Sequence, residues 1–180
     1  MKKVGEKIVY RGNWLSVTEM DYRGEQGEEF TWEMVERIHD RGGMVIIARM
    51  KPSDRIILIR QYRPVLGNYI IGFPAGVAEA EDIEKEALRE LLEETGYYGK
   101  VTQISPPLRS NPAMFADKVY IVEAEIIEEE RNINPIQNLE PSEEIQVFLV
   151  EEKAIREFLL HQQEKGDEIG IGPWYAFATK

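Results

Sequence analysis

The chain has 180 residues, 33 acidic against 22 basic side chains, no cysteine and a formal net charge of -11 at pH 7. Its length suits one domain that buries about 70% of the surface its unfolded form would expose, and the missing cysteines exclude disulfides, thiolate zinc sites and cysteine nucleophiles. The acidity excludes sequence-independent binding of nucleic acid, which needs a basic surface, and means that a phosphorylated ligand requires cations between it and the protein.

The N-terminal MKKVGEKIVYRG is basic but has no apolar segment of the signal-peptide kind, and no apolar run is long enough to span a bilayer. A soluble, cytoplasmic protein with no membrane partner is expected. The first forty residues read as strands: KIVYRGNWLSVTEMDYRG leads through a turn at Gly24 to Gly27 into EEFTWEMVERI, where Phe30, Trp32 and Met34 alternate as in a long β-hairpin. GMVIIARM and RIILIRQYR, separated by Lys51 to Asp54, form a second hairpin, the first run expected to be buried on both faces. YIIGFPAG starts as a short strand and breaks at Gly72, Pro74 and Gly76. His39 and His161 are too few and too far apart for a zinc centre, and each reads as surface or core.

A helix follows, with Asp82 as N-cap, Ile83, Ala87, Leu88, Leu91 and Leu92 as its apolar face and Gly96 as its stop. At about 100° per residue, Glu86, Glu90, Glu93 and Glu94 share a sector of roughly 100°. They are expected on the accessible side. Like charges at this spacing repel by about 0.2 to 0.5 kcal/mol per pair, so the strip is either solvated surface or a ligand set for hard cations such as Mg²⁺, which take oxygen ligands completed by water and substrate phosphates. Beyond the helix, KVYIVEAEII and IQVFLV read as strands, RNINPIQNLEPS as a loop, and residues 151–164 and 173–178 as helical. The mixture without strict βαβ repetition predicts a mixed sheet with helices on both faces.

Residues 76–97, GVAEAEDIEKEALRELLEETGY, resemble the Nudix box, G-x5-E-x7-R-E-U-x-E-E-x-G-U with U aliphatic, through Gly76, Glu81, Arg89, Glu90, Leu91, Glu93, Glu94 and Gly96. Two departures stand out. Only four residues separate Gly76 from Glu81, and Tyr97 replaces the aliphatic residue. GNWLSVTEMDY, TWEMVER, IRQYRPVLGNY and FPAG are similar to the N-terminal half of the ADP-ribose pyrophosphatases, the nucleoside-diphosphate-sugar branch of the Nudix hydrolases, and Pro112, sixteen positions beyond Gly96, to their proline-marked loop. The resemblance covers residues 12 to 150.

It implies a Nudix-type α/β/α sandwich with a mixed β-sheet and an N-terminal β-hairpin region. One Nudix hydrolase domain over residues 1–180 is expected, with 1–40 as a dimerisation region and 41–180 as the catalytic core. It also implies Mg²⁺-dependent hydrolysis of a nucleoside diphosphate sugar, with Mn²⁺ as an alternative ion. By the same likeness Glu90 and Glu94 are the primary metal ligands, Glu93 a further one, and the Ala75 carbonyl completes the set. Arg89 reads as structural, pairing with Glu93 or Glu81, and Glu86 as ligand or plain surface. The general base is expected on EPSEEIQVF, where Glu140, Glu143 and Glu144 are open and register favours Glu143. Trp14, Trp32 and Pro112 correspond to substrate-binding positions, and Arg63 to an arginine that binds the diphosphate. A homodimer is implied by the N-terminal strands. Similar enzymes commonly have glutamate where this chain has Gly72, so GDP-sugars and dinucleoside polyphosphates stay open as substrates. A non-catalytic ADP-ribose sensor is the alternative.

Overall fold

The computed structural model describes residues 1–38 and 42–179; His39 lies outside them. The chain divides into two compact units, Met1–Gly43 with Pro106–Tyr120, and Met44–Ser105 with Ile121–Lys180.

In the first unit β1 (Lys2–Arg11), β2 (Leu15–Arg23) and β3 (Glu29–Arg37) form an antiparallel sheet in that order. The expected hairpin is β2–β3, turned at Gly27 with φ +89. The stretch before it breaks at Gly12, whose N–H donates to the Leu15 carbonyl at 2.9 Å, and so adds a third strand. Residues 106–120 fold onto β3: Phe115 bridges Val35 in parallel, and the Val35 N–H donates to the Met114 carbonyl at 2.8 Å.

The second unit is built on a mixed sheet. Along it run β11 (Glu168–Ile169), β6 (Asn68–Gly72), β5 (Arg55–Arg63), β4 (Gly43–Lys51), β9 (Val119–Ile127) and β8 (Lys100–Ile104). Two further strands join off this path: β10 (Ile145–Glu151) pairs β5 and β7 (Ala75–Val77) pairs β4. β11 runs parallel to β6, and the β4–β5, β5–β6, β5–β10 and β8–β9 pairs are antiparallel. Double burial falls on β5 and not, as expected, on β4. Ile56, Ile57, Leu58 and Ile59 are all buried, whereas β4 buries Met44, Ile46, Ala48 and Met50 and leaves the alternate positions half-buried. The reason is placement, because Ile59 pairs with Val147 on one edge of β5 and with Gly72 on the other.

Helix α1 (Ile83–Thr95) begins and ends where its signals predict. The Asp82 carboxylate accepts from the Lys85 N–H at 3.2 Å, and Gly96 adopts φ +76 while its N–H returns to the Leu92 carbonyl. Helix α2 (Ile155–Glu164) and the closing turn Trp174–Ala178 pack Ile155, Leu159 and Ala178 against Ile56, Leu58, Ile71, Phe73 and Val150. Ile57 and Ile59 alternate with these residues and point to the other face.

Candidate active site

The turn before α1 is pinned first. Ile46 donates its N–H to the Pro74 carbonyl at 2.8 Å, which registers β7 beside β4. Ala75 then presents its N–H to Glu94 Oε2 at 2.9 Å. Gly76 lies against the next acid: a Cβ there would stand 2.1 Å from Glu90 Cδ, so only glycine leaves that carboxylate in place. The shorter box loop therefore still brings residues 75 and 76 onto Glu90 and Glu94.

The acids themselves are not on an accessible face. Glu94 is 1% exposed and Glu86 is buried. Geometry explains it: at about 100° per residue Glu94 stands only about 20° from Ala87 and 60° from Leu91, inside the stripe that packs. Glu86 accepts from the Glu79 N–H at 2.9 Å and from Arg89, and these bonds hold its carboxyl below its ordinary range despite burial.

Arg89 is the hub. Its guanidinium donates to Glu93 at 2.7 Å, to Glu90 at 2.9 Å and to Glu86 at 3.2 Å, while Glu81 is not among its partners. Burial works against its charge, yet the Glu90, Glu86 and Glu93 carboxylates raise its pKa above the ordinary value. Burial also pushes Glu90 up to about 7, with Glu93 and Glu143 adding to the rise and Arg89 opposing it. Glu94 is pushed up to about 8, again chiefly by burial; the Ala75 N–H and Arg63 lower it, and Glu90 and Glu143 raise it. Glu94 Oε1 is buried without a hydrogen-bond partner, which is costly for a carboxylate.

These all-oxygen donors, one of them orphaned, fit a hard divalent cation. They are not gathered into a protein cage: among the described residues no three histidine, cysteine, aspartate or glutamate side chains converge on one point. Arg89 engages one oxygen each of Glu86, Glu90 and Glu93, whereas Glu94 carries the buried unpartnered oxygen, and an ion here needs further ligands from water or substrate.

Comparison with known proteins gives this geometry its context. The NUDIX domain family model matches residues 39–168. This chain belongs to the Nudix family. A Nudix hydrolase of Caenorhabditis elegans is 31% identical over 164 residues, covering 86% of this chain and 74% of that protein. An ADP-ribose pyrophosphatase of Saccharomyces cerevisiae is 34% identical over 148 residues, covering 77% and 64%. A crystal structure of an ADP compounds hydrolase matches with a TM-score of 0.64 at 21% identity, over 92% of this chain and 94% of that one, a likeness of fold.

Other residues singled out by the Nudix resemblance are distributed as follows. In the second unit, Arg63 ends β5 and Glu143 precedes β10, and both act electrostatically on Glu94. Glu143 Oε2 accepts from the Glu140 N–H at 3.0 Å, and the neighbouring Glu144 accepts from the Tyr69 hydroxyl. Tyr69 in turn lies under Arg60, 3.5 Å from its ring centre, and Arg60 is fixed by the buried Asp167 at 2.8 Å. In the first unit, Trp32 and Pro112 line one groove of about 290 Å³ with Met20, Met34, Arg109 and Phe115. The Trp32 indole N–H donates to the Ala113 carbonyl at 2.8 Å, which fixes the ring while leaving it half exposed. Trp14 does not line this groove and is 84% exposed. The Tyr69–Glu144 contact carried no sequence signal, since it depends on how the loop before β10 folds.

Proposed function

We propose that this Nudix hydrolase cleaves the diphosphate bond of ADP-ribose or a related nucleoside diphosphate sugar, in a reaction that depends on Mg²⁺ or Mn²⁺. Water adds at phosphorus and the bridging P–O bond breaks, giving a nucleoside monophosphate and a sugar phosphate. The observation that carries the reading is Glu94, a buried carboxylate with one unpaired oxygen, beside Glu90 on a helix that carries the Nudix spacing. The name of the yeast relative supports the choice of substrate class.

In this reading Glu90 and Glu94 hold the ion, with Glu93 and the Ala75 carbonyl as further ligands. When bound, the ion neutralises diphosphate oxygens and lowers the pKa of water. Arg89 keeps Glu86, Glu90 and Glu93 in register. Glu143 takes the proton from the attacking water, a role suited to a carboxylate on the loop that leads into β10. Arg63 offers a guanidinium fork to phosphate oxygens. Trp32 and Pro112, with Trp14, contact the nucleoside, the fixed indole offering a stacking face.

Gly72 favours a second, wider reading. A Cβ at this position meets nothing within 4 Å, so space is open where the family resemblance implies a glutamate, and GDP-sugars or dinucleoside polyphosphates are further substrates to test. The test is to incubate the protein and Mg²⁺ with ADP-ribose, ADP- and GDP-sugars and dinucleoside polyphosphates, and to identify products by mass spectrometry. ADP-ribose is expected to give AMP and ribose phosphate, and Glu94→Gln to lower turnover roughly a hundredfold or more while staying folded. Binding of ADP-ribose without hydrolysis of any compound would instead identify a sensor.

A further inference from the structure

The loop between the short turn Glu130–Asn132 and β10 is tied to the end of α1 by one side chain. Gln137 Nε2 donates to the Glu94 carbonyl at 2.6 Å and to the Ile145 carbonyl at 3.2 Å. Next to it, the Asn138 N–H donates to the Glu93 carbonyl at 2.9 Å. The last carbonyls of a helix lack helical donors, and the final turn of α1 contains no basic residue, so the loop supplies what the helix lacks. The approach is close: a Cβ on Gly96 would stand 2.5 Å from the Ile136 nitrogen.

The two carbonyls that share this amide belong to different parts of the site. Glu94 is the buried acid of the helix. Ile145 opens β10, two residues after Glu143, whose carboxylate is itself turned back onto the Glu140 N–H. We propose that Gln137 is a positioning residue for the hydrolysis, its single amide setting where the Glu143 loop stands relative to the acidic helix. The inference rests on the reading of Glu143 as the base. Its physical basis is that catalysis by an oriented group is lost steeply with small displacement.

The test uses Gln137→Met, which keeps the side-chain length and removes both donors, alone and combined with Glu143→Gln. Turnover is measured on the fastest substrate of the panel at saturating Mg²⁺. The expected result is a fall in kcat of about tenfold with KM unchanged within twofold. No further loss should appear when Gln137→Met is added to Glu143→Gln, and hydrogen exchange should be faster at the Glu143 amide. If Gln137→Met keeps wild-type kcat while Glu143→Gln has lost it, positioning by Gln137 is wrong and the base assignment stands. Equal fold-losses in both backgrounds mean a general structural role and also overturn it. Full activity of Glu143→Gln, or hydrolysis of no panel compound, removes the underlying reading and this inference with it. Should Gln137→Met fail to fold, Gln137→Asn, which withdraws the amide by one methylene, is judged by the same criteria.

Discussion

Glu94 sets the chemistry of the site at the scale of single residues. Because its folded pKa is about 8 and that of Glu90 about 7, against an ordinary glutamate value of 4.5, both bind protons more tightly in the folded chain. The sign follows from linkage: their contribution is fully present below about pH 4.5 and is lost as pH rises through 7 and 8. Without divalent ions, the apparent Tm is therefore expected to be lower by roughly 4 °C or more at pH 8 than at pH 5.5. Thermal scans in EDTA check this, and a flat profile would contradict the burial argument. Gly76 gives a second expectation. Alanine there displaces the Glu90 side chain, a flexible neighbour, so Gly76→Ala should cost about tenfold in kcat with little change in Tm. The acids were legible because their spacing along a helix is local in sequence. Their burial departs from the expected accessible strip, because Glu94 adjoins the apolar stripe of the helix and does not lie opposite it.

Among the elements, α1 was the most legible, for its cap, its apolar stripe and its glycine stop all lie within residues 82–96. The stop does more than end the helix. At φ +76, and with the Ile136 backbone pressed against it, Gly96 admits no side chain. Gly96→Ala is expected to destabilise the protein by about 2 kcal/mol, measured by denaturant unfolding; a change within error would show that the loop moves aside freely. Strands β8 and β11 were not foreseen. The first is a five-residue segment in which Lys100, Thr102 and Gln103 are polar, and the second has two residues, so neither carries a periodic signal that stands apart from loop. The reversal between β4 and β5 has the same origin, because which of two apolar runs is central depends on strands distant in sequence.

For the molecule as a whole, the first unit raises the question of association. β1 stands at the edge of its sheet, and Val4, Ile8, Val9 and Tyr10 on it are exposed, as are Trp14 and Leu15 beside it. Such an edge is ordinarily covered. A homodimer is the expected outcome, and light scattering coupled to gel filtration at micromolar concentration should return twice the protomer mass; a stable monomer would remove the role proposed for these strands. Family membership was legible in one helix and its preceding turn. The arrangement around Glu143 was not, since Gln137, Tyr69 and Arg60 converge there from separate parts of the chain.

The double pairing of β5 bears on how the site behaves in time. A strand bonded along both edges and covered on both faces is among the last to open when a protein fluctuates. Arg63 is its final residue, two past Gln61 where the double pairing ends, so the proposed phosphate-gripping guanidinium hangs from a slow-opening strand while standing itself at that strand's exposed end.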